Sequence, residues 1–487
     1  MRPRAESNRW LILVIACLAQ FMVVLDATIV NVALPSIQRG LHFSEANLAW
    51  VVNAYTLVFG GFLMLGGRAA DLLGRRRLFV AGVALFAVSS LLNGLAGSST
   101  VLIGGRALQG LGGALVSPAA LSIITTTFTD GTERTRALGV WSAIAASGSA
   151  VGLLLGGALT SLVSWQWIFF VNVPVGVLTV MLAARFVPES RAELGHRAFD
   201  VAGALTVTTG LVAMVFGIVK AQTWGWGSTR VVAVLAAGLA LLALFLAIES
   251  RSKAPLMRLS IFRVRSLAVA DSVMLLVASG LFGMFFFVSL YVQDILGYGA
   301  LHAGLAFLPV TGGIMLGAGL SQKLVATLGA RMVAVVGVLV ATAGMVLLTG
   351  LPEHGGYAAN LLPGLLPLSI GIGLTFVPIT LLGTGGVTES DAGLASGLFN
   401  TAQQVGGALG LAILSTLAAD HTSSLLRGLG GAATPGRVVA ATLSGYHVAF
   451  VAAALMLGAG ALLMGVAVRR RHLQGLNLEA SPVPAGV

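Results

Sequence analysis

The chain has 487 residues, of which 57% are hydrophobic and only 9% charged, with a mean hydropathy of +0.96. A water-soluble protein of this length does not carry so apolar a composition, so the solvent for most of the chain is lipid. The net charge of +11 does not signal nucleic acid, because the basic residues sort by position along the chain.

With about 30 Å of hydrocarbon to cross, spans are predicted near 10–34, 48–67, 78–97, 101–128, 137–163, 166–186, 201–221, 230–249, 266–291, 303–322, 332–350, 361–382, 392–418 and 445–468. The expectation is an all-α polytopic membrane protein of fourteen transmembrane helices. The basic start MRPRAESNRW runs into an apolar stretch, Trp10 to Leu34, too long for the core of a secretory signal and without a small-residue cleavage site. It reads as a retained first helix. Five basic residues (Arg39, Lys220, Arg230, Arg427 and Arg437) fall on one side of the membrane, Arg106 lies inside a span, and the other 22 of the 28 share the opposite side. By the positive-inside rule that side is cytoplasmic, and an even number of spans places both termini there. Connectors are expected at 188–197 and 250–265, which divides the chain into a six-helix bundle over 1–187, a connector carrying two further spans over 188–265, a second six-helix bundle over 266–471, and a disordered tail over 472–487.

The short stretch GRAADLLGRRR, Gly67 to Arg77, has room only for a tight turn between the second and third spans. Arg68, Arg75, Arg76 and Arg77 hold it on the cytoplasmic side, Gly67 and Gly74 allow close approach and a sharp turn, and Asp71 offers a partner for an arginine. A degenerate copy, SQKLVATLGAR, keeps Gly329 and Arg331, with Gly74 and Gly329 lying 255 residues apart. Two similar halves imply a cavity between them near the midplane.

The first span contains LDATIVNVALP. A carboxylate within a membrane helix is costly, so Asp26 faces protein or a water-filled cavity, either as a structural hydrogen-bonder to Asn31 or a nearby serine or as a group that changes charge during function. Asn31 and Pro35 suit packing and helix termination. In the fourth span, LIGGRALQGLGGA places Arg106 beside Gln109; an arginine cannot shed its charge, so it is paired, solvated or bonded to carbonyls, or else it snorkels to the headgroups. Gly148, Gly152, Gly156 and Gly157 stripe the fifth span, where small residues let another helix approach. Asp271, in the ninth span, is either a second titrating group or near the interface. Asp294 is expected to be solvated, and Glu389 and Asp391 to cap the thirteenth helix. Phe282, Phe285, Phe286 and Phe287 line either a drug site or a lipid-facing stripe. Cys17 is the lone cysteine, and the seven histidines form no metal pattern.

The order of GRAADLLGRRR, an Arg-Gln-Gly fourth span and a glycine-striped fifth span, with LDATIVNVALP, WQWIFFVNVP, YVQDILGY and GLASGLFNTAQQVGGALG, resembles the drug:proton antiporter-2 family of the major facilitator superfamily. The resemblance covers nearly the whole chain. It implies the major facilitator fold, two six-helix bundles plus two extra helices, in a bacterial cytoplasmic membrane. It implies proton-coupled efflux of drugs, antibiotics or other amphipathic small molecules by alternating access, with a carboxylate at Asp26 handling protons or cationic substrate and an arginine at Arg106 assisting. Asp271 is a further candidate for proton coupling, Asn31, Gln109 and Phe285 are candidates for the substrate cavity, and Gly67, Asp71, Gly74, Arg75, Arg76 and the four glycines of the fifth span are candidates for conformational roles. One departure stands out: Leu153 occupies the position of the proline in the family's G-x-x-x-G-P-x-x-G-G motif. Gln403 stands where relatives often carry arginine.

No glycine-rich G-x-x-x-x-G-K loop is present, so a phosphate-binding site and an ATPase subunit are not expected, and neither are a cofactor or a bound metal. An ion gradient is the expected energy source: one proton falling through 100 mV releases about 2.3 kcal/mol, against about 1.4 kcal/mol per tenfold concentration ratio. The partners expected are the bilayer, protons and a drug or antibiotic. The alternatives are a major facilitator moving a specific metabolite, a membrane-embedded acyltransferase and a channel; no span offers a convincing catalytic histidine or nucleophile, so an enzyme is the weakest of these.

Overall fold

The structure is a computed structural model that describes residues 3–128, 131–191, 200–252, 255–384, 387, 392–428 and 434–467. Among these residues the fold is helical, with no strand. All fourteen predicted spans fall on helices: α1 (Pro3–Leu41), α2 (Trp50–Leu73), α3 (Arg75–Gly94), α4 (Ser99–Thr127), α5 (Gly131–Leu162), α6 (Asn172–Phe186), α7 (Val201–Trp224), α8 (Thr229–Arg251), α9 (Arg265–Leu290), α10 (Leu308–Leu328), α11 (Ala330–Leu348), α12 (Leu362–Thr384), α13 (Ala392–Gly428) and α14 (Pro435–Ala467). Short helices, Trp167–Phe170 and Ala300–Ala306, lead into α6 and α10. Thirteen helical segments among the described residues are long and apolar enough to cross a bilayer, and α5 adds the shorter apolar piece Ser147–Leu162. The predicted tail 472–487 and the caps Glu389 and Asp391 lie outside the described residues, as does the side chain of Asp71.

Two compact units can be described separately. One comprises Met1–Leu256, Phe285–Leu308 and Leu411–Tyr446; the other comprises Met257–Met284, Pro309–Gly410 and His447–Val487. In the first unit, glycines bring α2, α3 and α4 to backbone contact. A methyl on Gly110 would land on the Tyr55 carbonyl, and one on Gly112 would meet the Phe86 nitrogen at 2.8 Å. Lipid gives no hydrophobic drive for helices to associate, so this close packing is what joins them. The second unit uses the same device: Gly344 and Gly371 each lie against the backbone of the facing helix in the α11–α12 pair. Helices α13 and α14 run 37 and 33 residues, or roughly 50–55 Å, and overhang a 30 Å hydrocarbon core. Their protruding ends are braced by His421 and Ser444 at 2.9 Å and tied to the α7–α8 turn, where Trp226 Nε1 donates to Asp420 Oδ2 at 3.1 Å.

Two sequence expectations change here. The stretch Gly67 to Arg77 is not an eleven-residue loop: α2 continues to Leu73 and α3 begins at Arg75, so the junction is Gly74 alone, with φ +116°. Apolar neighbours on both sides keep the arginine-rich residues helical. The copy behaves alike, with Gly329 alone at φ +79° between α10 and α11. In addition, Pro35 does not terminate its helix, because α1 runs on to Leu41. A proline removes only one helical donor, and a donor from elsewhere can replace it.

Glu189, just beyond α6, caps the start of α3. Its Oε1 accepts from the Arg76 main-chain nitrogen at 3.2 Å, and its Oε2 lies 3.7 Å from the Nε of both Arg76 and Arg77. The Arg75 nitrogen donates to the Ser190 carbonyl at 3.0 Å. Helix N-termini leave unsatisfied donors and favour an acidic partner, so the turn is pinned by its neighbour in space rather than by its own side chains. Any side chain at Gly74 would meet both a forbidden φ and the Glu189 carboxylate. Gly74→Ala is therefore expected to destabilise the protein by about 1–3 kcal/mol. Thermal unfolding in detergent checks this against Gly97→Ala, a site with nothing within 4 Å, which should leave the transition unmoved.

Candidate functional site

The first unit buries an ion pair. Asp26, midway along α1, is 0% exposed, and Arg106, two turns into α4, is 1% exposed. Arg106 Nη1 donates to Asp26 Oδ2, and its Nε donates to the Val51 carbonyl of α2 at 2.9 Å. The guanidinium lies over the Tyr55 ring, 4.4 Å from its centroid, so an aromatic face covers the side not taken by hydrogen bonds. The close α2–α4 approach at Gly110 is what brings Val51 and Tyr55 within reach.

The other carboxylate oxygen is equally occupied. Asp26 Oδ1 accepts from Gln109 Nε2 at 2.7 Å and from Asn172 Nδ2, at the start of α6, at 3.0 Å. Gln109 Oε1 accepts from Arg106 at 2.8 Å and from Asn93 Nδ2 at 2.8 Å. Ser90 closes the cluster: it accepts from Gln109 at 3.0 Å and from Asn172 at 3.1 Å, and donates to the Phe169 carbonyl at 3.0 Å. Every neighbour of Asp26 is a donor, the arrangement an ionised, acceptor-only carboxylate requires. A proton on Asp26 would need one of these donors to withdraw first.

The structure brings together Asp26, Arg106 and Gln109, and it rules out the snorkelling alternative for Arg106, which is buried. Asn31 is not Asp26's partner: five residues on turns it about 140° away, and its Nδ2 donates to the Ala27 and Thr28 carbonyls of its own helix at 3.3 Å. Gly148, Gly152 and Gly156 face α1, where added methyls would meet Val24 at 3.3 Å, the Leu25 carbonyl at 2.9 Å and the Ile29 carbonyl at 2.7 Å, so the stripe seats the helix that carries Asp26. Gly157 faces Ala300 and Leu301 instead. The phenylalanines do not form one stripe. Phe286 and Phe287 are buried, Phe285 lies tilted against Phe307 with ring centroids 5.4 Å apart, and Phe282 covers Gly407.

Asp271 stands in the second unit in the opposite setting. It is 7% exposed, and neither carboxylate oxygen has a hydrogen-bond partner among the described residues. Asp294 is exposed. No three His, Cys, Asp or Glu side chains among the described residues gather where they could hold a metal. A cavity of about 370 Å³ between the ends of α1, α4 and α6, lined in part by Arg9, Thr126 and Ser190, contains none of the site residues predicted from sequence. Sequence reasoning missed Asn172, Ser90, Asn93 and Tyr55. Polar side chains in apolar spans, as in AVSSLLNGL and FFVNVP, were the available signal.

The family model of the Major Facilitator Superfamily matches residues 16–411. The puromycin resistance protein of Streptomyces alboniger is 40% identical over 469 residues, 96% of this chain and 92% of that protein. The cephamycin export protein of Amycolatopsis lactamdurans is 40% identical over 426 residues, 87% of each chain. Among solved structures, a bacterial homologue of the human lysosomal transporter Spinster, inward-facing and unoccupied, superposes with a TM-score of 0.66 at 18% identity, covering 96% of this chain and 97% of that one.

Removing one partner of a buried ion pair strands the other charge, at a cost of about 3–5 kcal/mol. Asp26→Leu and Arg106→Met should each lower the unfolding temperature markedly, while the double variant recovers much of the loss. A double-mutant cycle by thermal unfolding reads the coupling; simple additivity of the two losses would show that the pair does not act as a unit.

Proposed function

The chain belongs to the Major Facilitator Superfamily, and from that membership we propose that it exports antibiotics or other amphipathic small molecules across the bacterial cytoplasmic membrane in exchange for protons. Export is supported by the relatives, whose names attach puromycin resistance and cephamycin export to chains aligned over nearly their whole length. The observation that supports the coupling mechanism is the closed Asp26–Arg106–Gln109–Asn172 cluster, because every group bonded to Asp26 donates to it and a proton there requires the cluster to rearrange. The protein carries its substrate without chemical change. Both termini lie in the cytoplasm, the orientation that puts the clustered arginines inside.

In this mechanism the cluster has two stable forms. With Asp26 ionised, Arg106, Gln109 and Asn172 converge on it and hold α1, α4 and α6 together. When Asp26 takes a proton, Arg106 loses its counterion and must find water or another acceptor, which opens the bundle on the side water comes from. Asp271, buried and without a hydrogen-bond partner among the described residues, is the second site for a proton or a cationic substrate. A bare carboxylate in that setting costs several kcal/mol unless it is neutralised. The two carboxylates therefore divide the work: one is coupled to structure and the other is open to a ligand.

Ethidium efflux from energised vesicles under an imposed pH gradient tests this. Asp26→Asn should abolish gradient-driven efflux while the protein still inserts, and Asp271→Asn should weaken it. Undiminished pumping by the Asp26 variant would remove Asp26 from the coupling mechanism.

A further inference from the structure

Pro35 has no N–H, so the Asn31 carbonyl, four residues earlier in α1, loses its regular helical donor. That carbonyl is nonetheless bonded. Ser289 Oγ, at the end of α9, donates to it at 2.6 Å, with Ser289 itself 0% exposed. One turn further on, Gln293 Nε2 donates to the Val32 carbonyl at 2.9 Å and to Ser289 Oγ at 3.1 Å. Gln293 reaches α1 from a widened helical turn, Tyr291–Ile295, where α9 loosens into a π-type coil. Such turns redirect side chains that a regular α-helix would aim elsewhere. All of these residues belong to one compact unit. In the proposed orientation they lie toward the outer face, beyond Asp26 on the same helix.

We propose that Pro35, Ser289 and Gln293 form a latch holding the outer ends of α1 and α9 together, and that its release is the step that opens the outer side during transport. This rests on the alternating-access reading above. Pro35 leaves an acceptor without its regular helical donor in α1, and Ser289 supplies a donor from another helix. The proline therefore does not end the helix; it makes α1 depend on α9. When the latch opens, the Asn31 carbonyl is left bare unless water replaces the hydroxyl, so opening and hydration of the outer cavity occur together. Asn31 lies about 7.5 Å along the helix axis from Asp26, so a displacement of α1 that begins at the ion pair reaches the latch through a rigid segment. Ser289 and Gln293 are positioning residues that act through the main chain of α1.

The test uses the full chain with Cys17, its one cysteine, replaced by alanine, and a reporter, Val292→Cys, at a position 0% exposed beside the latch. The rate of labelling by a membrane-impermeant thiol reagent, added to the outer face of vesicles, reads the open fraction. Loss of one latch hydrogen bond should raise it about fivefold. Ser289→Ala and, independently, Gln293→Leu should each show the increase, while Ser289→Thr, which keeps the hydroxyl, should label like the parent. Pro35→Ala returns an N–H to the Asn31 carbonyl, so Ser289→Ala should have a much smaller effect in that background. Parental labelling in both Ser289→Ala and Gln293→Leu, or strict additivity of Pro35→Ala with Ser289→Ala, would overturn the latch. Labelling is read without any transported compound, so failure of the efflux reading leaves this result separately legible.

Discussion

A full positive charge held where water does not reach is the constraint on which the first unit depends. Arg106 cannot be neutralised by losing a proton, so the surrounding residues must satisfy it. A carboxylate, a main-chain carbonyl, an amide oxygen and an aromatic face do so, and they come from three elements: Asp26 from α1, Val51 and Tyr55 from α2, and Gln109 from α4 itself, with Asn172 of a fourth, α6, holding the carboxylate from the far side. None of these elements can drift far without exposing a charge to hydrocarbon. The pair organises the bundle even if its net contribution to stability is small, because the desolvation of both ions offsets much of their attraction.

Glycine makes this geometry available. Side chains of ordinary size between α2 and α4 would hold Val51 too far away to accept from Arg106, and side chains in the α5 stripe would push α1, with Asp26, out of line. Small residues act here as spacers of minimal thickness, and the polar cluster uses the resulting proximity. Leu153 fits the same scheme. Lacking the proline ring, it keeps its N–H, and its carbonyl side lies against Gly304, where a methyl would collide with it. The glycine at 304, in the helix leading to α10, provides the room.

Much of the fold was legible in the sequence because long apolar runs and basic loops are one-dimensional signals; all fourteen spans were placed on helices. The turns were less so. Gly67 to Arg77 read as a polar loop, but its charged residues are helical and only Gly74 turns, since hydropathy does not distinguish an interfacial helix end from coil. Asp26, Arg106 and Gln109 could be picked out because buried charge in a span is rare. Asn172 and Ser90 could not be ranked above other polar residues, because their importance comes from convergence across 146 and 82 residues of chain. Pro35 was misread for a related reason. Its effect on α1 depends on a serine 254 positions later, and no local pattern carries that.

The single-residue junctions at Gly74 and Gly329 leave each joined pair of helices with no slack. A linker of several residues would absorb a shift of one helix before the next one felt it; a lone glycine passes the shift on, so α2 with α3, and α10 with α11, behave as bent levers. The same tightness restricts how the chain can change over evolutionary time. One residue gained or lost near either bend would turn everything beyond it by about 100° and carry its lipid-facing side inward. Around these two points substitution of the flanking residues remains open to the lineage, while a change of length, or of the glycines themselves, does not.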